Sequence, residues 1–134
     1  MQHAMSFVWV ALGSACGGLL RWAVGIAAGR LLGTSLPYGT LVINITGCLF
    51  LGWFLTRLDQ RPLADSSAWP RTDDLRLLLA VGFTGAYTTF STFEWEAHGL
   101  LRDGETAAGT LYLVGSVLAG LLAVRLGVVL GRMM

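Results

Sequence analysis

Four apolar stretches, each long enough to cross a bilayer, take up most of this 134-residue chain. They run over about residues 6–32, 38–58, 75–100 and 107–131, and a hydrocarbon core needs roughly 20 helical residues per crossing. Backbone N–H and C=O groups inside lipid must be paired within the protein, which favours helices for spans of this length. The expected fold is an all-α membrane protein, a single four-span domain over residues 1–134. With 54% of residues hydrophobic and 13% charged, disorder and an ordinary soluble domain are both excluded. No stretch remains for a soluble catalytic domain, so an enzyme is not expected. The one sizeable loop, Asp59 to Asp74, carries Pro62, Pro70 and charges of both signs, Asp65 among them.

Scarce residues exclude further chemistries. All nine cationic residues are arginine, which removes a phosphate-loop Gly-Lys-Ser/Thr signature and a lysine Schiff base. His3 and His98 lie far apart with no cysteine or carboxylate at metal-ligand spacing, so a transition-metal site has no visible ligands. Cys16 and Cys48 fall inside apolar spans, where a free cysteine acts as a small buried hydrophobe. The N-terminal residues lack the basic region of a secretory signal and the first span is too long for a signal core, so that span is expected to be retained.

Arg57, Arg61, Arg71, Arg76 and Arg132 belong to the side holding both termini, against Arg30 and Arg102 on the other. The positive-inside rule then favours cytoplasmic termini, by a bias small enough to permit insertion both ways. Small-xxx-small pairs at Gly13 and Gly17, Gly25 and Gly29, and Gly127 and Gly131 allow helix backbones to approach closely. The first and fourth spans are therefore expected to pack tightly. Four helices enclose little lumen, so a permeation path is expected to need a second copy.

The third span differs in kind. Its segment Gly82-Phe83-Thr84-Gly85-Ala86-Tyr87-Thr88-Thr89-Phe90-Ser91-Thr92-Phe93 puts glycines, hydroxyls and aromatics at lipid depth. An interior glycine costs a helix about 1 kcal/mol relative to alanine, and a break is expected near Gly82 to Thr88. Carbonyls freed there are hard oxygen ligands for a cation, as in the discontinuous helices of transporters. The alternative is a packing notch whose hydroxyls bond back to the preceding turn. Phe90 and Phe93 share a helix face, with Thr89 and Thr92 as a second i, i+3 pair. Aromatic edges are electropositive, so ring edges and hydroxyls can pass a small anion without a full charge that would trap it. Core packing is the competing use of both rings.

Asn44 is a lone amide in the second span, able either to present donors to an anion or to hold two helices together. Tyr112 and Ser116, four apart on the fourth span, extend a polar stripe, although Tyr112 also suits an interfacial aromatic. Placing Arg21 in lipid costs about 2.5–3.5 kcal/mol on insertion scales, so it faces water or protein, or snorkels. Glu94 and Glu96 stand toward an aqueous mouth.

Taken in order, Gly17-Gly18-Leu19-Leu20-Arg21, Gly39-Thr40-Leu41-Val42-Ile43-Asn44-Ile45-Thr46-Gly47, and Gly82-Phe83-Thr84-Gly85 through Thr88-Thr89-Phe90-Ser91-Thr92-Phe93 resemble the CrcB/Fluc family of fluoride channels. The likeness covers essentially the whole chain. It implies a multi-pass protein of the cell (inner) membrane, inserted both ways and assembled as an antiparallel homodimer with two fluoride pores. It also implies a structural, untransported sodium ion (Na+) at the dimer interface, held by the backbone carbonyls of Gly85 and Thr88 from both subunits. By the same resemblance, fluoride would pass Asn44, Phe90 and Phe93, with Thr89, Ser91 and Thr92 as hydroxyl donors and Tyr112 and Ser116 farther along. Arg21 would lie near a vestibule and Glu96 toward a mouth. Some members carry serine where this chain has Gly120, so the polar stripe of the fourth span is expected to be shorter.

Flow through such a channel is passive and exports cytoplasmic fluoride. Its expected partners are fluoride, lipid and a second copy of itself, with no nucleic acid. A small proton-coupled multidrug-type exporter is the alternative of similar size, but it needs a carboxylate in the first span, which here holds Arg21 and no acid. A non-conducting subunit of a larger membrane complex is a second alternative.

Overall fold

A computed structural model describes residues 2–60 and 71–133. Arg61, Pro62, Asp65 and Pro70 of the expected loop lie outside the described residues, as does the side chain of His3. The described chain is helical throughout: α1 (Gln2–Leu32), α2 (Tyr38–Asp59), α3 (Thr72–Leu75), a π-helix (Arg76–Thr84), α4 (Gly85–Tyr87), α5 (Phe90–Arg102) and α6 (Thr106–Met133). Of these, α1, α2 and α6 are each long and apolar enough to cross a membrane. Gly33 (φ 81°) ends α1 and Gly104 (φ 86°) lies just past α5, both in the left-handed conformation that only glycine adopts cheaply.

Close backbone approaches fix the topology. A Cβ on Gly13 or Gly17 would strike the backbone of Leu78 or Phe83, and one on Gly82 would strike Val10, so α1 and the π-helix run side by side in the same direction. Glycines do the same between α2 and α6: Gly52 faces the Val124 backbone, Gly127 faces Leu49 and Trp53, and Gly131 faces Thr56. Those pairings make α2 and α6 parallel, with Gly39 against Gly25 marking α1 as antiparallel to α2. Arg76 pairs with Asp59 at 2.9 Å at the end of α2. The segment from Thr72 to Arg102 therefore starts at the far end of α2 and returns along the whole bundle to the start of α6.

One expectation is corrected. The pair Gly25 and Gly29 does not interlock as the others do: a Cβ on Gly25 would meet only Ile43 Cδ1, at 4.0 Å, and one on Gly29 would meet nothing, although the Gly25 backbone lies 3.5 Å from the Cβ position of Gly39. Both glycines line a groove instead. The break falls within the expected interval, at its Thr88 end. Gly82 lies in the π-helix and Gly85 opens α4; the backbone leaves the helix only at Thr88, with ψ 160°, and Thr89, with φ −149° and ψ 117°. Glycine lowers the cost of ending a helix without ending it. What replaces the next helical bond is the Asn44 side chain of α2.

The π-helix was not foreseen. Its i to i+5 bonding widens the turn, and Thr84 Oγ1 accordingly donates to Leu79 O, five residues back, at 2.8 Å. Cys16 is exposed and Cys48 is half-buried.

Candidate functional site

A groove of about 770 Å³ opens between α1, the start of α2 and α5, lined by Arg21, Thr40, Thr89, Thr92, Glu96 and Asp103 among others. Glu96 is half-buried there. Its Oε1 accepts from Thr40 Oγ1 at 2.8 Å and its Oε2 accepts from the Tyr112 hydroxyl at 2.9 Å. One carboxylate thus ties α2, α5 and α6 together. Hydrogen bonds to charged groups contribute about 1.5–3 kcal/mol, so Tyr112→Phe should lower stability by an amount of that order. A thermal melt in detergent checks this, and an unchanged midpoint would mean the Tyr112 bond is replaced without loss.

At the rim, Arg102 Nε donates to Asp103 Oδ1 at 2.9 Å. That hydrogen bond, with the guanidinium charge, holds the Asp103 carboxyl below its ordinary range, so it is ionised and paired where the groove meets solvent.

The break is held from α2. Asn44 Nδ2 donates to Thr89 O at 3.0 Å, and the Thr89 N–H donates to Asn44 Oδ1 at 2.8 Å. Thr89 Oγ1 then caps α5 by accepting from Thr92 N at 3.3 Å, and donates to Thr92 Oγ1 at 2.9 Å. On the other flank, Thr46 Oγ1 and the Tyr87 hydroxyl share a hydrogen bond of 2.8 Å. Arg21 Nη1 reaches the Thr88 carbonyl at 3.5 Å.

The two phenylalanines lie in unlike surroundings. Their ring centroids are 6.1 Å apart, yet Phe90 is 74% exposed and Phe93 only 5% exposed. Phe93 packs on Tyr112 at 5.2 Å between centroids. Ser91 and Glu94 are exposed, as is Gly85, while Thr88 is half-buried. Ser116 is not brought into the main groove. It lines a second, apolar groove of about 270 Å³ with Tyr112, Leu41 and Ile45. Its buried Oγ has no hydrogen-bond partner among the described residues.

Thr40, Thr46 and Tyr87 were not singled out from the sequence as site residues. A signal existed for one of them: Thr40 precedes Asn44 by four residues, which sets both on one face of α2.

Apolar helices of membrane-crossing length, flanking a groove of hydroxyls and a bridged carboxylate, define a multi-pass helical membrane protein. Residues 8–128 match the family described as CrcB-like protein, Camphor Resistance (CrcB). The chain belongs to that family. Among similar relatives, each named fluoride-specific ion channel FluC, one from Acidobacterium capsulatum is 46% identical over 96% of this chain and 97% of its own. Another from Synechococcus is 42% identical over 92% of this chain and 90% of its own. A third, from Chloroflexus aurantiacus, is 43% identical over 92% of each.

Proposed function

We propose that this chain is a fluoride-selective channel, not an enzyme, that passively exports fluoride from the cytoplasm. The observation that carries this is likeness over nearly the full length to relatives bearing that name. The groove offers fitting chemistry. Fluoride is small and strongly hydrated, so its water must be replaced by several close donors that do not trap it. One Asn44 Nδ2 hydrogen is used by Thr89 and the other remains for an anion. Thr92 accepts the Thr89 proton, which leaves its own hydroxyl proton to donate. Ring edges of Phe90 and Phe93 continue the path, with Ser91 and Tyr112 along it, Ser116 farther on in the apolar groove that Tyr112 also lines, and Arg21 and Glu96 in the vestibule.

In this reading the Thr72–Arg102 segment is a fourth crossing, supported by its run along the whole bundle. The functional unit is an antiparallel homodimer of chains inserted both ways in the cell membrane, supported by the exposure of Gly85 and Phe90 on the single chain. The Gly85 and Thr88 carbonyls suit a structural sodium ion: the N–H that would cover Gly85 is given to Asn44, and Thr88 has left helical geometry. Sodium would supply a charge that gathers these hard oxygens. The long Arg21 contact leaves the Thr88 carbonyl a lone pair to share.

Liposomes loaded with fluoride or chloride test the function. Fluoride should leave without proton coupling while chloride stays. Equal loss of both anions would sink selectivity, proton-driven export of an organic cation would restore the exporter reading, and a folded dimer without flux would point to a non-conducting subunit.

A further inference from the structure

In an unbroken helix the N–H of Thr89 would bond the carbonyl of Gly85, four residues back. Here that N–H donates to Asn44 Oδ1 at 2.8 Å, and Asn44 Nδ2 donates in return to Thr89 O at 3.0 Å. A primary amide carries an acceptor and a donor side by side, so it pairs with both polar groups of one extended residue much as a neighbouring strand would. The preceding N–H, that of Thr88, still bonds Thr84 O at 3.0 Å. The i to i−4 bonding thus persists to the Thr88 N–H and ends at the one that Asn44 takes. Next to Asn44 on α2, Thr46 ties the Tyr87 hydroxyl at 2.8 Å, and Gly47 leaves room for the Thr88 methyl, which any Cβ there would strike.

We propose that Asn44 is the positioning residue of the cation site: its amide withdraws the Thr89 N–H from Gly85 and so keeps the Gly85 carbonyl open to sodium. This rests on the channel reading with a carbonyl-held sodium. One peptide unit then links the proposed anion path to the cation site, because the amide whose second Nδ2 hydrogen is left for an anion also holds the break. Alanine at position 44 returns the Thr89 N–H to Gly85 and the helix closes over the carbonyl. Aspartate retains the acceptor and leaves the carbonyl open, while its charge disfavours an anion beside it.

The experiment compares thermal midpoints of the purified protein in sodium chloride and in N-methylglucamine chloride at equal ionic strength, beside fluoride efflux from liposomes. A ligand that binds only the folded form raises the midpoint by mass action. The unsubstituted protein and Asn44→Asp should both gain stability from sodium, whereas Asn44→Ala should gain none while keeping its helical circular dichroism. Fluoride efflux should fall in both variants. A sodium gain in Asn44→Ala equal to that of the unsubstituted protein overturns the proposal, and so does loss of the gain in folded Asn44→Asp. Should Asn44→Ala fail to fold, the aspartate arm decides, together with amide hydrogen exchange of the unsubstituted protein. There the Thr89 N–H is expected to be protected, and exchange at the rate of an open peptide overturns the clamp. An unsubstituted protein that conducts fluoride yet ignores sodium overturns the proposal while leaving the channel standing. One that gains from sodium without conducting fluoride overturns the channel reading alone.

Discussion

Gly17→Val is expected to leave almost no folded protein to purify. The position a Cβ would take lies against the Phe83 carbonyl, and the same holds one turn earlier, where Gly13 faces the Leu78 carbonyl. These obstacles are backbone, unable to swing aside as the end of a flexible side chain can. Overpacking a core costs about 1–3 kcal/mol when side chains can rearrange. Here a whole helix must retreat, so the penalty lies at or beyond that range, against a total stability of about 5–15 kcal/mol. Gly29→Val is the matched control, since nothing lies within 4 Å of its Cβ position. Size-exclusion yield and the melting midpoint separate the two. Equal behaviour of both variants would mean that close contact between α1 and the π-helix does not hold the protomer together.

The second large effect separates the two phenylalanines. Phe93→Ala should cost about 3–5 kcal/mol, the usual range for emptying an aromatic site in a packed core, because Phe93 sits buried with Ala97 and Tyr112. Phe90→Ala removes a ring that is 74% exposed in the protomer and should leave the protomer's own packing intact. Fluoride efflux should drop on the order of tenfold in Phe90→Ile, about the loss of one favourable aromatic edge contact in the barrier. Phe93→Ile should lose flux to a similar degree and also melt lower. Unchanged throughput in Phe90→Ile would take that ring out of the path.

Both phenylalanines were legible as a pair from their spacing, but their unequal burial was not. The i, i+3 rule assigns a common helix face without saying where that face turns outward. The apolar stretches anticipate α1, α2 and α6 to within a few residues at each end, because runs of lipid length leave a chain little choice but a helix. The break was visible as glycine and hydroxyl content, yet its position depended on Asn44, which is distant in sequence and approaches only after α2 has packed. The π-helix has no local signature in Arg76–Thr84, and its wider turns alter the phase at which Tyr87, Thr88 and Thr89 meet α2. For the same reason, helical spacing alone joined Ser116 to the polar stripe, whereas the structure turns it toward the apolar groove between α2 and α6.

Gly85 and Phe90 are both exposed on the single chain. Under the proposed pairing, a lone chain holds only part of each ion's surroundings. Conductance then follows two-dimensional mass action: in a sparse membrane the number of working units rises with the square of the chain density. Protection against the anion would accordingly be steep in expression level, negligible for the first molecules inserted and efficient once the membrane is crowded enough for opposite orientations to meet.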